Sequence, residues 1–109
     1  MKYVITESRL DELIQNYISE SVGLLERHSS HDSYSYSNYM WYTNLKDVMI
    51  FEIAETDEGL GLGVLESLWN SVNGMFSLSD YDTDKAFMKW MLNYKGGKFP
   101  GGIYTFEEG

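Results

Sequence analysis

The chain has 109 residues, 43% of them hydrophobic and 16% aromatic, and this composition predicts one folded domain with its own hydrophobic core. It contains no cysteine, which excludes a disulfide framework and a thiolate metal site. Seventeen acidic and eight basic residues give a net charge of −9. This charge disfavours binding to nucleic-acid phosphates and favours a basic protein partner. The alternative is that the charge only keeps the protein soluble.

The N-terminal quarter predicts a short strand and then a long helix. Residues 2–5 have strand-forming character, and Thr6 is a residue type that caps a helix N-terminus. Glu7 lies in the first turn, where the helix dipole favours a negative charge. The helix is predicted to reach about residue 27, with one apolar stripe formed by Leu10, Leu13, Ile14, Tyr17 and Ile18.

Residues 2–14, KYVITESRLDELI, resemble the start of small uncharacterised tailed-phage proteins, which open with a short strand and an ITES-type helix. The resemblance implies a phage or phage-derived origin, and it assigns no activity and no functional residue. No signal peptide is recognisable, and no apolar run is long enough to cross a bilayer. We therefore expect a cytoplasmic protein, in the host cell if it is phage-encoded, without membrane association.

The middle of the chain predicts an antiparallel hairpin. Residues 33–37 alternate serine and tyrosine, which is typical of an edge strand, and residues 39–43 continue the aromatic character with Tyr39, Trp41 and Tyr42. Residues 47–55, DVMIFEIAE, are apolar on both faces of an extended chain, so we predict a central strand with Phe51 in the core. The hairpin joins about 36–43 to 47–55.

The second half of the chain predicts two more helices and a last strand. Residues 55–63 are acidic and rich in glycine, and we expect a flexible loop there. Helical spacing follows at 64–72, and Asp82 or Thr83 is expected to cap a third helix that ends before Gly96. A turn at 99–102 leads to a strand at 103–106. The resulting order is β-α-β-β-α-α-β, a single α+β domain with about three helices on a mostly antiparallel sheet.

Two motifs resemble ligand-binding loops but lack required parts. Glycines 59, 61 and 63 follow a predicted strand, yet the spacing is not that of a phosphate-binding loop and no P-loop lysine follows. Asp80, Asp82 and Asp84 alternate like the first ligands of a calcium loop. However, Lys85 replaces the glycine and Met91 the bidentate glutamate that such a loop needs. We interpret these aspartates as helix-start residues, with a weak ion site left open.

Catalytic and metal-binding candidates are equally sparse. His28, His31 and Asp32 match a metal site in ligand type, but they lie in a serine-rich segment. Glu52 is the one acid within the apolar strand, and no second carboxylate or histidine stands at a defined spacing from it. We expect it to face solvent near a sheet edge. The sequence thus predicts no catalytic residue, no cofactor and no metal, and a protein that is not an enzyme.

The strongest functional signal is a cluster of aromatic residues. Tyrosine and tryptophan set among small polar residues are typical of adaptable protein-binding surfaces. The alternative is that the rings cover the sheet from within. The predicted partner-binding residues in this cluster are Tyr34, Tyr36, Tyr39, Trp41 and Tyr42.

The acidic residues Glu55, Asp57 and Glu58 follow the paired strand and are expected to flank the aromatic cluster and to steer a basic partner toward it. This combination suits a phage-encoded inhibitor or an immunity-type protein. The alternative is a small virion or assembly component that self-associates through the aromatic segment. An enzyme is the third hypothesis.

Overall fold

A computed structural model of the chain describes residues 6–30 and 39–108. The described residues form three helices and five strands, so the predicted α+β class is confirmed. In chain order the elements are α1 (Glu7–Val22), β1 (Glu26–Ser30), β2 (Tyr39–Thr43), β3 (Met49–Thr56), β4 (Gly59–Leu65), α2 (Glu66–Met75), α3 (Asp80–Tyr94) and β5 (Ile103–Phe106).

The five strands form one sheet in the order β1-β2-β3-β4-β5. Each pair from β1 to β4 is antiparallel, and β5 joins β4 in parallel. The parallel pairing is possible because α2 and α3, which lie between β4 and β5 in the chain, return it to the end of the sheet at which β4 begins. The predicted central strand is β3, the third of five, and its hairpin with β2 is confirmed over the described residues.

The three helices cover one face of the sheet and enclose a single core. Phe51, in the middle of β3, is fully buried; its ring stacks on Trp90 at 5.2 Å between centroids and meets Phe87 edge-on at 6.2 Å. Side chains from every helix join the strands in this core, as expected for a two-layer arrangement. The most deeply buried are Ile18, Phe51, Ile53, Leu62, Val64, Val72, Phe87 and Met91.

The first helix is shorter than predicted, and its end makes room for a strand. Gly23 adopts a φ of 62°, in the left-handed region that favours glycine, and its N–H donates to the Ser19 carbonyl. The helix therefore ends at Val22, and β1 (Glu26–Ser30) lies where the sequence predicts the end of the helix and the start of a polar segment. The strands predicted at 2–5 and 33–37 lie outside the described residues.

The glycine-rich segment is the clearest error in the predicted elements. It is strand β4, not a flexible loop, and only Asp57 and Glu58 form the turn between paired Thr56 and Gly59. Glycine is a poor strand former, so the residue types of this segment do not predict a strand. The segment is extended because it pairs with β3 in a hairpin.

The cap of α3 also differs from the prediction. Ser79, and neither Asp82 nor Thr83, caps α3 by accepting the Asp82 N–H at 3.1 Å.

Candidate functional site

The face of the sheet opposite the helices carries a row of side chains that contact one another. Strand alternation turns Tyr39 and Trp41 away from the core, because Tyr42 of the same strand lies within it. The pairing register places His28, Trp41, Glu52, Gly63 and Tyr104 side by side, one from each strand. We call the surface formed by His28, Tyr39, Trp41, Glu52 and Tyr104 the open face.

Glu52 is the polar centre of the open face. It is half-buried on the middle strand, and each of its two carboxylate oxygens accepts one tyrosine hydroxyl. Tyr39 donates to Oε2 at 2.5 Å, and Tyr104 donates to Oε1 at 2.6 Å. The expected position near a sheet edge is wrong, since β3 is internal. The side chain does lie on the face away from the helices, but it is half-buried there and bonded to two phenols.

Both phenols are held in their neutral form by this arrangement. Burial raises the pKa of Tyr39 from 10.0 to about 12, and the hydrogen bond to the negatively charged Glu52 adds to the effect. The pKa of Tyr104 is raised for the same reasons, burial first, with a further contribution from Tyr39. Each hydroxyl therefore remains a donor to the carboxylate above the pH at which a free phenol, with its pKa of 10.0, ionises.

Gly63 provides the space in which Glu52 and Tyr104 meet. A Cβ atom at this position would lie 2.5 Å from Cγ of Glu52 and 2.8 Å from Cε2 of Tyr104. Real Cβ atoms do not approach other atoms so closely, so any side chain at position 63 would push the two apart. The glycine pattern that resembles a phosphate loop thus has a packing role within β4.

Trp41 lies in the middle of an aromatic stack on the same face. Its ring is 5.3 Å from that of His28, tilted by 14°, and 5.3 Å from that of Tyr39, tilted by 28°. The stack is anchored at one end because His28 Nε2 hydrogen-bonds Oγ1 of Thr43 at 2.9 Å. With this bond and the ring stack, His28 is a member of the aromatic surface.

No cation compensates the charge of Glu52 among residues 6–30 and 39–108. The described salt bridges join Arg9 to Glu12 at 3.2 Å and Lys89 to Asp11, all on helices. Glu52 thus presents its carboxylate, with two hydroxyl donors bound to it, on a half-buried aromatic surface. A carboxylate so placed is attracted to any cation that reaches it, since screening by water is reduced there.

The acidic residues predicted to flank the site lie at the tip of the β3–β4 hairpin, where Glu55, Asp57 and Glu58 are all exposed. Tyr39, the first residue of β2, is at the same end of the sheet, because Met40 pairs with Ile53 near the end of β3.

The hairpin tip is braced from two sides. Thr56 Oγ1 donates to the Gly59 carbonyl at 2.7 Å, and the Gly101 N–H of the turn before β5 donates to the Leu60 carbonyl at 2.9 Å. Pro100, in the same turn, packs so closely on the tip that a Cβ at Gly59 would lie 2.6 Å from its Cγ. The acidic tip is therefore held in a defined place.

The predicted partner-binding tyrosines have different outcomes. Tyr39 and Trp41 lie on the open face, whereas Tyr34 and Tyr36 lie outside the described residues. The inclusion of Tyr42 is wrong, since its side chain is only 2% exposed and its ring packs edge-on against Tyr94 in the helix layer. Tyr42 thus covers the sheet from within, whereas Tyr39 and Trp41 lie on the open face, because alternate residues of one strand point to opposite faces.

Sequence reasoning missed the centre of the site. Glu52 was noticed only as an isolated acid, and Tyr104 only as part of a short strand. One sequence pattern could have indicated the site: an acid within an apolar strand, followed by a glycine-rich segment. If that segment pairs with the strand, a glycine leaves space above the sheet for a neighbouring side chain. Its tyrosine partners could not be named, because they come from two other strands.

The ion-site candidates are not assembled in the described part of the chain. Asp80 and Asp82 lie in the first turn of α3, and Asp84 accepts the indole N–H of Trp69 at 2.9 Å. No group of three or more histidine, aspartate or glutamate side chains suited to a metal ion occurs among the described residues. His31 and Asp32, the other half of the histidine candidate, lie outside them.

Comparison with protein-family models, with curated proteins and with solved structures finds no match to this chain. None of the described helices is long and apolar enough to cross a membrane.

Proposed function

We propose that the protein is a non-enzymatic protein-binding domain whose open face and acidic hairpin tip bind a basic protein partner. The observation that carries the proposal is Glu52, a half-buried carboxylate on an aromatic sheet face that no described helix covers and no described cation neutralises. A partner that supplies the cation would complete the surface.

The composition of the open face supports protein binding over catalysis. Tyrosine, tryptophan and histidine offer large contact areas with few rotatable bonds, and protein interfaces are enriched in tyrosine and tryptophan. A catalytic carboxylate normally works with a second acid or base. Here the two groups bonded to Glu52 are phenols that stay neutral at physiological pH.

The acidic hairpin supports a basic partner in particular. Three exposed carboxylates at one end of the site, on a chain of net charge −9, create a field that accelerates the encounter with a positively charged surface. The proposal keeps Tyr34 and Tyr36 among the partner-binding residues. The finer form of the proposal is a phage-encoded inhibitor or immunity-type protein that acts in the host cytoplasm.

Self-association into a virion or assembly component is the second candidate. The observation that favours it is the pair of edge strands, β1 and β5, of the described sheet. An unpaired strand edge is a template for a strand of another copy. Mass in solution at micromolar concentration separates the two proposals, since a stable ring or large oligomer favours assembly and a monomer favours partner binding.

Affinity capture from a candidate host lysate, with the bound protein identified by mass spectrometry, tests the main proposal. We expect a basic protein whose capture is lost with Trp41→Ala and with the pair Tyr34→Ser and Tyr36→Ser. The matched control is Tyr81→Ala, since Tyr81 is 70% exposed on α3, in the helix layer. Thermal unfolding of each variant separates lost binding from lost folding. Undiminished capture by the folded Trp41→Ala variant would contradict the proposal.

A further inference from the structure

We propose that Glu52 and the rings around it form a receptor site for the guanidinium group of an arginine side chain. This inference rests on the proposed function, since the arginine would belong to the basic partner. It names the chemical group that occupies the centre of the open face.

Two donors from the described residues bind the Glu52 carboxylate, one on each oxygen. A carboxylate offers about four lone-pair sites, and the two tyrosine hydroxyls occupy one on each oxygen of Glu52. No third donor from residues 6–30 and 39–108 binds Glu52, so these residues leave one acceptor position on each oxygen. A guanidinium presents two parallel N–H donors at the spacing of two carboxylate oxygens, so it can bind both at once.

The tyrosines also fix the carboxylate in place before any ligand arrives. Tyr39 and Tyr104 hold the two oxygens from opposite sides, because they come from strands on either side of β3. Glu52 therefore loses little rotamer freedom when it binds a cation. Preorganisation of this kind improves affinity by lowering the entropic cost of association.

The aromatic stack beside Glu52 suits a flat cation. Trp41 is next to Glu52 in the pairing register, but its two ring faces are taken by His28 and Tyr39, so a cation on the carboxylate lies at the edge of the stack. A planar guanidinium can bond the carboxylate with its edge and lie against the outer ring, that of Tyr39, whose hydroxyl bonds the same carboxylate. Lysine lacks both the fork and the plane, so arginine is favoured.

Anions and neutral groups are disfavoured at the same place. Glu52 and the nearby hairpin carboxylates repel an anion, and a neutral ligand leaves the charge of Glu52 without a counter-ion. The carboxylates therefore select a positively charged group, and the aromatic rings select a flat one.

A titration with N-acetyl-arginine methylamide tests this inference, followed by amide and indole chemical shifts in two-dimensional NMR. The neutral control is N-acetyl-citrulline methylamide, which has nearly the same shape without the charge. We expect saturable shifts at Trp41, Glu52 and Tyr104, with the citrulline compound binding about tenfold more weakly or worse. Equal binding of the two compounds, or no saturable shift at these residues, would overturn the inference.

Variants separate Glu52 from the general acidity of the surface. Glu52→Gln keeps the size of the side chain and one of its two acceptor oxygens but removes the charge, and we expect it to weaken binding of the arginine compound about tenfold or more. Glu20→Gln removes the same charge from an exposed position on α1, in the helix layer, and binding should change by about twofold or less. The reverse order of effects would overturn the inference. If Glu52→Gln does not fold, the two-compound comparison on the unaltered protein decides.

The guanidinium site and the proposed function fail in different ways. Capture of a protein partner that depends on Trp41, without binding of the arginine compound, would leave the protein-binding role and refute the guanidinium site. Binding of the arginine compound at Glu52, with partner capture unaffected by Trp41→Ala, would keep the site and refute the docking surface.

Discussion

At the scale of single residues, the raised pKa values of the open-face tyrosines predict a loss of stability in alkali. The pKa of Tyr39 is 10.0 in an unfolded chain and about 12 in the folded protein, so between these values the folded state retains a proton that the unfolded state has released. The free energy of unfolding therefore falls as pH rises from 10 to about 12. Below pH 10 the full contribution of the neutral phenol is present.

Denaturant unfolding at a series of alkaline pH values measures this dependence. Tyr39→Phe removes the titrating group, so its free energy of unfolding should fall less steeply over the same interval than that of the unaltered protein. Tyr81→Phe, on α3, is the control and should keep the original slope. An identical slope in the protein and in Tyr39→Phe would show that Tyr39 does not retain its proton on the open face.

Phe51 provides the residue-scale test of the core. Its ring is completely buried between Phe87 and Trp90, so Phe51→Ala should lower the free energy of unfolding by about 3–5 kcal/mol. Chemical denaturation measures the loss, and Leu45→Ala, at a side chain 82% exposed, should leave stability nearly unchanged. Equal effects of the two substitutions would mean that β3 is not the centre of the core.

At the scale of elements, β4 needs glycine at position 63 because a larger side chain would not fit between Glu52 and Tyr104, although glycine has a low strand propensity. Gly63→Ala should destabilise the protein by about 1–3 kcal/mol, since the added methyl group displaces Glu52 and Tyr104. Gly61→Ala is the matched control in the same strand, because its nearest contact is the Cγ2 atom of Thr56 at 3.1 Å, which can shift slightly. Thermal unfolding that ranks Gly61→Ala as the more harmful change would contradict this account.

Local sequence signals predicted the elements that local chemistry determines. The Thr6 cap, the buried apolar run around Phe51 and the final strand were found because each is encoded by neighbouring residues. β4 was missed because its glycines resemble a loop and only pairing with β3 makes them a strand. The end of α1 was misplaced because the apolar residues after Gly23 continue the helical pattern although the backbone does not.

At the scale of the whole molecule, the site exists only because the sheet is assembled. Tyr104 and Glu52 are 52 residues apart in the chain, and they meet because α2 and α3 return the chain to pair β5 with β4. No spacing rule predicts such a contact. The aromatic half of the site was predictable because Tyr39 and Trp41 share one strand, whereas its charged centre was not.

Net charge acts on the whole molecule, and it predicts how association with a basic partner should depend on salt. An acidic surface raises the association rate by attracting the partner over distances that salt shortens, while contacts made in the bound complex set the dissociation rate. Neutralising Glu55, Asp57 and Glu58 together to their amides should therefore slow association and flatten its salt dependence. Glu52→Gln should instead speed dissociation, because in the proposed complex Glu52 contacts the cation of the partner directly.

Surface plasmon resonance with the captured partner, at several salt concentrations, separates the two effects. The control converts Glu7, Glu12 and Glu20 to glutamine: it removes the same three charges from exposed positions on α1, in the helix layer. If net charge alone governs the encounter, this control slows association as much as the hairpin variant does. If the hairpin steers the partner to the open face, the control has the smaller effect, because a charge beside the docking surface acts at close range and a charge on the far side is screened.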